Sequence, residues 1–387
     1  MILRAAILAV AGMAVLVPNT LRARDTEQAP VVELHERLST VLTEHEFHGE
    51  IAYSPSSYEF NSILISRQAD IGNAATLAAI EDYKRSNPQA SDADAMAALM
   101  PPDRDRRWPW ASVTKQVLAV LVMQQVEAGK IALDQPASRY LRSLRGNAPT
   151  IRQLLQHRSG LRNPDDSPLD ADGFPDFYTT GPTGIDWCLE NRGNPGGEWR
   201  YNNCDYIVIG AILEKVTRTP IGELIDTRIG KRIGWKQTEL LLDGDQTSYV
   251  GQTEDYDRRI ARYAASAGLV GPLEDMLRFD RSFFGRVGFS DPIFSEASRN
   301  VMWASDPALG YMGLGQWVFE APLAGCDAPV QIVERRGGIG KYQIRNIILP
   351  ADKMVLAIAT EKEGFEFGEI WTGSGFMYDL LSEIACR

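Results

Sequence analysis

Ser112-Val113-Thr114-Lys115-Gln116-Val117-Leu118-Ala119-Val120-Leu121-Val122-Met123 is the stretch on which the reading of this chain turns. A serine and a lysine three residues apart share one face of a helix, which holds a hydroxyl and an amine within mutual reach, as acyl transfer requires. Ser-x-x-Lys pairs arise by chance in chains of ordinary composition. Here Lys115 is the only lysine with a serine three positions before it. The residues that follow are apolar on nearly every face, a pattern that predicts a buried helix.

The chain has 387 residues and a net charge of −11, enough length for a large core and a balance that argues against nucleic-acid or polyanionic partners. Met1-Ile2-Leu3-Arg4 followed by the apolar run Ala5 to Val17 reads as a secretory leader, with Leu21-Arg22-Ala23 as a candidate cleavage site. An uncleaved anchor is the alternative. The expectation is a signal peptide over 1–23, a mature domain over 24–387, and a periplasmic or secreted location with no membrane contact beyond the N-terminus. Four cysteines, none in a Cys-x-x-Cys pair, and four histidines predict no zinc cluster. In an oxidising compartment four cysteines allow three disulfide patterns. Cys188–Cys204 is favoured because it closes a loop of about 15 residues, worth roughly 3 kcal/mol in the chain-entropy model. Cys326–Cys386 then follows by elimination, with buried free thiols the alternative.

Leu34, Leu38, Val41 and Leu42 recur at helical spacing, and strand-like pieces follow at Glu50–Ser54 and Ile63–Ser66. A polar excursion over 75–107 lies directly before the serine and carries Trp108 and Trp110 on its exit; the excursion would either wall the cleft or be a solvated insertion with no part in it. The middle, about 111–284, reads as helical. In the last third the period changes: Gly315–Phe319, Val330–Val333, Gln343–Leu349 and Met354–Thr360 are β-rich, and a helix follows over about Ile370–Ala385. Strands at both ends with helices between predict an α/β chain of the α+β type. Its mainly antiparallel sheet comes from both termini (about 31–110 and 285–387) and is flanked by helices, with an all-helical subdomain inserted.

Further segments complete a pattern. They are Leu155-Gln156-His157-Arg158-Ser159-Gly160-Leu161, Tyr201-Asn202-Asn203, Ala264-Ala265-Ser266-Ala267-Gly268 and Arg335-Arg336-Gly337-Gly338. With Ser112 and Lys115, their order and spacing resemble the serine β-lactamase and penicillin-binding-protein superfamily, in its class C β-lactamase, esterase and D-alanyl-D-alanine carboxypeptidase branch. The resemblance implies a β-lactamase-like fold and an acyl-enzyme on Ser112. It makes Lys115 the proton acceptor or the group that activates the base, and Tyr201 a general base and acid. Asn203 would orient the substrate amide and help fix Lys115. The backbone N–H groups of Ser112 and Gly338 would form the oxyanion hole. Neither a metal nor an organic cofactor is implied, and His157 reads as a structural residue at a helix end.

Free lysine titrates near about 10.4 and free tyrosine near about 10, so one of them must be shifted for a base to exist at neutral pH. Either desolvation neutralises Lys115, or a charged Lys115 lowers Tyr201. The chain also departs from the family. Arg335 stands where Lys or His is usual, followed by Arg336 and Gly337, and Asn202 stands where Ser is usual. Arginine stays charged and can grip a carboxylate bidentately, so Arg335, or Arg336 if the register slips, would bind an anionic or carbonyl-rich substrate together with Gly337 and Gly338. The expected activity is cleavage of an ester or amide in a small molecule or peptide. A D-alanyl-D-alanine carboxypeptidase or β-lactamase, and a catalytically idle binding protein on the same fold, are the alternatives.

Overall fold

The computed structural model describes residues 34, 36–54, 63–67, 81–90, 106–171, 173–241, 254–285 and 292–385. Its main sheet has six strands in the order β2-β1-β9-β8-β7-β6, every neighbouring pair antiparallel. In chain order, β1 is Gly49–Ser54 and β2 Ile63–Arg67, whereas β6 is Trp317–Ala321, β7 Val330–Ile339, β8 Tyr342–Leu349 and β9 Met354–Thr360. The N-terminal hairpin thus pairs with the last strand, as expected of a sheet drawn from both ends. β9 is buried along its whole length, which explains why Met-Val-Leu-Ala-Ile-Ala-Thr reads as an unbroken apolar run. Alternation still sorts its side chains, since Leu356 and Ile358 join one core while Val355, Ala357 and Ala359 join the other.

On the first face lie the N-terminal helix over 36–44 and the last helix, Phe376–Ala385, with Phe47 stacked on Phe376 at 4.9 Å between centroids. On the second face lies the helical region. Its central helix α1, Thr114–Glu127, buries every residue from Thr114 to Gln125. Such a helix cannot rest on water anywhere, so the rest of the fold must wrap it. The short helix α2, Ile151–Leu155, begins with a capping box between Thr150 and Gln153. The helix α3, Asn203–Thr217, is capped by the Asn202 side chain, which accepts from Cys204 N at 2.9 Å. The Cys188–Cys204 disulfide, with Cα atoms 5.4 Å apart, ties the start of α3 to the short helix Ile185–Leu189.

Two readings need correction. The helical region is not helical throughout: β3 (Trp108–Pro109), β4 (Glu239–Leu240) and β5 (Leu269–Gly271) make a second small sheet in the order β3-β5-β4. Two-residue strands are too short to leave a period-2 signal. Trp108 and Trp110, on the exit of the excursion, are both fully buried, Trp108 Nε1 donating to Glu50 Oε2 at 2.5 Å and Trp110 Nε1 to Gly271 O at 3.1 Å. Secondly, β7 does not stop at Val333 but runs through Arg335-Arg336-Gly337-Gly338 to Ile339. Residues 1–33, Cys386 and most of the 75–107 excursion lie outside the described residues.

Replacing both Cys188 and Cys204 by Ala is expected to lower unfolding stability by about 3 kcal/mol. Urea unfolding of the variant against the oxidised parent checks this, and an unchanged midpoint would contradict it.

Candidate active site

Ser112 stands in the 3₁₀ turn Ala111–Val113 that delivers the chain from β3 into α1. Ala111 adopts φ 47°, a left-handed conformation that turns the backbone sharply just before the serine. One turn on, the Lys115 amine has three partners: Ser112 Oγ at 3.0 Å, Asn203 Oδ1 at 2.7 Å and the main-chain carbonyl of Ser266 at 2.8 Å. Asn203 is the first residue of α3, and two residues before it Tyr201 sets its hydroxyl in hydrogen-bond contact with Ser112 Oγ. The Tyr201 loop is itself pinned by Asn163, whose Nδ2 donates to Tyr201 O at 3.0 Å. Asn202, the departure from Ser, serves α3 as cap and ties the loop to Leu161 O at 2.9 Å.

The fourth side of the cluster is the open edge of β7. β6 pairs with β7 only from Val330 to Glu334, so the segment from Arg335 to Ile339 presents an edge to the Ser112 turn instead of to a strand. Contact there is close: a Cβ on Gly337 would lie 2.6 Å from Trp110 O. Gly338, by contrast, has open space where a Cβ would stand, and is exposed. Pleating decides between the two arginines. Arg335 faces the site, and Arg336 turns to the other face, where Glu334 and Glu369 hold it in ion pairs of 2.9 and 2.7 Å. Yet Arg335 is fully buried and grips the protein itself, Nε donating to Ser112 O at 2.9 Å and Nη2 reaching Tyr201 Oη at 3.5 Å. The expected hold on a substrate anion is therefore not what its Nε and Nη2 do here.

Burial, then the Arg335 charge, hold the Lys115 amine well below the ordinary lysine range; Asp165 and Asp205 oppose this. Burial likewise pushes Tyr201 up, against the pull of Arg335 and the Ser112 hydrogen bond. Of the two routes to a base, these directions select a neutral lysine beside a protonated tyrosine. His157 is buried with Nδ1 3.0 Å from Asp205 Oδ2, and its ring packs 4.7 Å from that of Tyr201. Burial, helped by Arg335 and Lys115, keeps it neutral, and burial raises Asp205 far above the usual carboxylate range. His157 reaches Tyr201 only through packing, in keeping with a structural part.

Sheet, buried helix and this cluster define a class, the serine β-lactamase and penicillin-binding-protein superfamily. Residues 75–372, well over half the chain, match the family model described as Beta-lactamase, and the chain belongs to that family. It is 26% identical over 245 residues to esterase EstB of Burkholderia gladioli, across 51% of this chain and 62% of that protein. It is 24% identical over 236 residues to a D-aminopeptidase of Brucella anthropi, across 58% of this chain and 44% of that protein. The chain thus spans less than two thirds of either relative. Among solved structures, a penicillin-binding protein from Bacillus halodurans superposes with a TM-score of 0.61 at 18% identity, covering 90% of this chain and 98% of that one. The D-amino acid amidase of Ochrobactrum anthropi SV3 in complex with D-phenylalanine gives 0.62 at 17% identity, covering 92% of this chain and 100% of that one.

Sequence reasoning singled out the Ala264–Gly268 segment without giving Ser266 a role, and it missed Tyr178. Ser266 contributes a main-chain carbonyl, which no side-chain motif encodes. Tyr178, whose hydroxyl accepts from Asn203 Nδ2 at 2.7 Å, sits in a Gly/Pro/Asp-rich loop 25 residues away with no periodic signal.

Gly337→Ala is expected to force β7 off the Ser112 turn and lower thermal stability, while Gly338→Ala is sterically free. Melting temperatures of the pair check this, and equal values for the two variants would contradict it.

Proposed function

We propose that this protein is a serine hydrolase that cleaves an ester or amide through an acyl-enzyme on Ser112. The observation that carries the reading is the hydrogen-bond direction at Lys115. Asn203 Oδ1 and Ser266 O accept only, so two amine hydrogens point to them. In a neutral amine the remaining position is a lone pair, and it faces Ser112 Oγ. Lys115 takes the Ser112 proton as Oγ attacks the carbonyl carbon. The carbonyl oxygen, becoming negative, is met by the backbone N–H groups of Ser112 and Gly338, a contribution of about 3 kcal/mol for each such donor. Tyr201, whose hydroxyl lies beside the same Oγ, passes its proton to the leaving group and is reprotonated by the Lys115 ammonium. Water then repeats the sequence on the acyl-enzyme, so charge and protons balance over the cycle.

A small-molecule or peptide substrate suits the relatives, an esterase and a D-aminopeptidase by name. Arg335 has Nε and Nη2 taken by Ser112 and Tyr201 and only Nη1 without a partner among the described residues, which gives less support to a bidentate grip on a carboxylate-bearing substrate such as a D-alanyl-D-alanine peptide or a β-lactam. An oxidising location outside the cytoplasm is favoured by the Cys188–Cys204 disulfide and by the leader-like N-terminus.

A fluorophosphonate should add to Ser112 and to no other residue, and Ser112→Ala should abolish both adduct and p-nitrophenyl ester hydrolysis. Mass spectrometry showing no adduct on the wild-type chain would overturn the reading. Tyr201→Phe should lower kcat by about 100-fold. Because the Lys115 amine titrates below its ordinary range, kcat/KM should fall with decreasing pH as Lys115 gains a proton and hold steady above that step. A profile that rises only in the range of free lysine would contradict this.

A further inference from the structure

Asn203 is the pivot of the site, since only its oxygen, not its nitrogen, suits Lys115. An amide can be turned either way, and its direction follows from what the other end meets. Asn203 Nδ2 donates to Tyr178 Oη at 2.7 Å, and Tyr178 in turn donates to Asp165 Oδ1 at 2.9 Å. A phenol has one proton, and an ionised carboxylate can only accept. With its proton committed to Asp165, Tyr178 must accept from Asn203. Asn203 must therefore turn its NH₂ to Tyr178 and its oxygen to Lys115.

We propose that Asp165 and Tyr178 are positioning residues that set the direction of this chain of hydrogen bonds and so turn the free electron pair of Lys115 onto Ser112. The inference rests on the hydrolase reading above and extends it to two residues that touch neither Ser112 nor Lys115. The build of the chain suits the part. Tyr178 is buried and stacks on Tyr263 with centroids 3.9 Å apart, and burial together with the Asp165 charge raises it far above the ordinary phenol range, so its proton stays on. Asp165 is exposed, in the turn Pro164–Asp166, and its N–H is held by Asn163 Oδ1 at 3.2 Å. Asn163 is also the residue that pins the Tyr201 loop, so both arms of the site hang on one asparagine. Charge enters separately from direction. Lys115 is faced by Arg335, Asp165, Asp205, His157, Tyr201 and Tyr206, and of these Asp165 and Asp205 favour its protonated form.

The experiment is a steady-state comparison of Asp165→Ala, Asp165→Asn and Tyr178→Phe with p-nitrophenyl esters, alongside fluorophosphonate labelling of Ser112. Asp165→Ala and Tyr178→Phe should lower kcat roughly tenfold or more with KM little changed, because Asn203 is then free to turn. Asp165→Asn keeps an accepting oxygen and should recover most of the lost kcat. It should also move the acid limb of kcat/KM to lower pH, since a charge that favours the ammonium is gone. Asp165 is exposed, so its variants report even if Tyr178→Phe does not fold. An active wild-type chain matched in kcat by Asp165→Ala overturns this inference alone. A wild-type chain inert to both esters and fluorophosphonate overturns the hydrolase reading and this inference with it.

Discussion

A lysine amine enclosed between a serine hydroxyl, an asparagine oxygen and a main-chain carbonyl, without a carboxylate partner among the described residues, is the constraint on which the site rests. Carrying a full charge into such surroundings costs several kcal/mol, far more than a helix terminus or a distant acid returns. The amine is therefore held neutral against the opposing pull of Asp165 and Asp205. The helix α1, buried from Thr114 to Gln125, removes water from below. Arg335, fixed on the other side of Tyr201, opposes a second positive charge. Asp205, the one acid buried nearby among the described residues, is itself driven toward neutrality by burial and bonded to Ser159 and His157.

The two halves of the fold meet at this point with little room between them. The open edge of β7 lies against the Ser112 turn across Gly337, and a Cβ on Gly315 would come within 2.7 Å of Ala119 Cβ on α1. Arg335 then crosses from sheet to helix and holds the Ser112 carbonyl. The sheet thus does more than support the helical region: it fixes the backbone of the nucleophile. Here the substitution of Arg for the family's Lys or His takes on a physical meaning. A guanidinium cannot give up its proton, but its fork can bond a carbonyl and a phenol at once while its charge stays constant with pH.

Side-chain chemistry at short spacing was legible in the sequence. Ser112 with Lys115, and Tyr201 with Asn203, each lie within four residues, so their juxtaposition follows from local structure. The six strands were legible as well, because the long buried ones carry continuous apolar runs and sharp turns. What stayed hidden depends on tertiary placement. The Ser266 carbonyl has no sequence signature. Tyr178 and Asp165 reach Asn203 from loops whose composition says only that they are loops. That Trp108 and Trp110 belong to the core was hidden too, because the small sheet β3-β5-β4 that draws them in is made of strands too short to leave a pattern. The choice between Arg335 and Arg336 required the length of β7, since one residue of register exchanges the faces.

Direct observation of the Lys115 amine tests the account at its centre. With ¹³C-labelled lysine side chains, and the Lys115 resonance assigned by its loss in Lys115→Arg, the pH at which that one amine titrates can be followed by NMR in the intact protein. The account predicts an uncharged amine at neutral pH, titrating well below the range of the other lysines. A Lys115 that stays cationic until it titrates with them would contradict it.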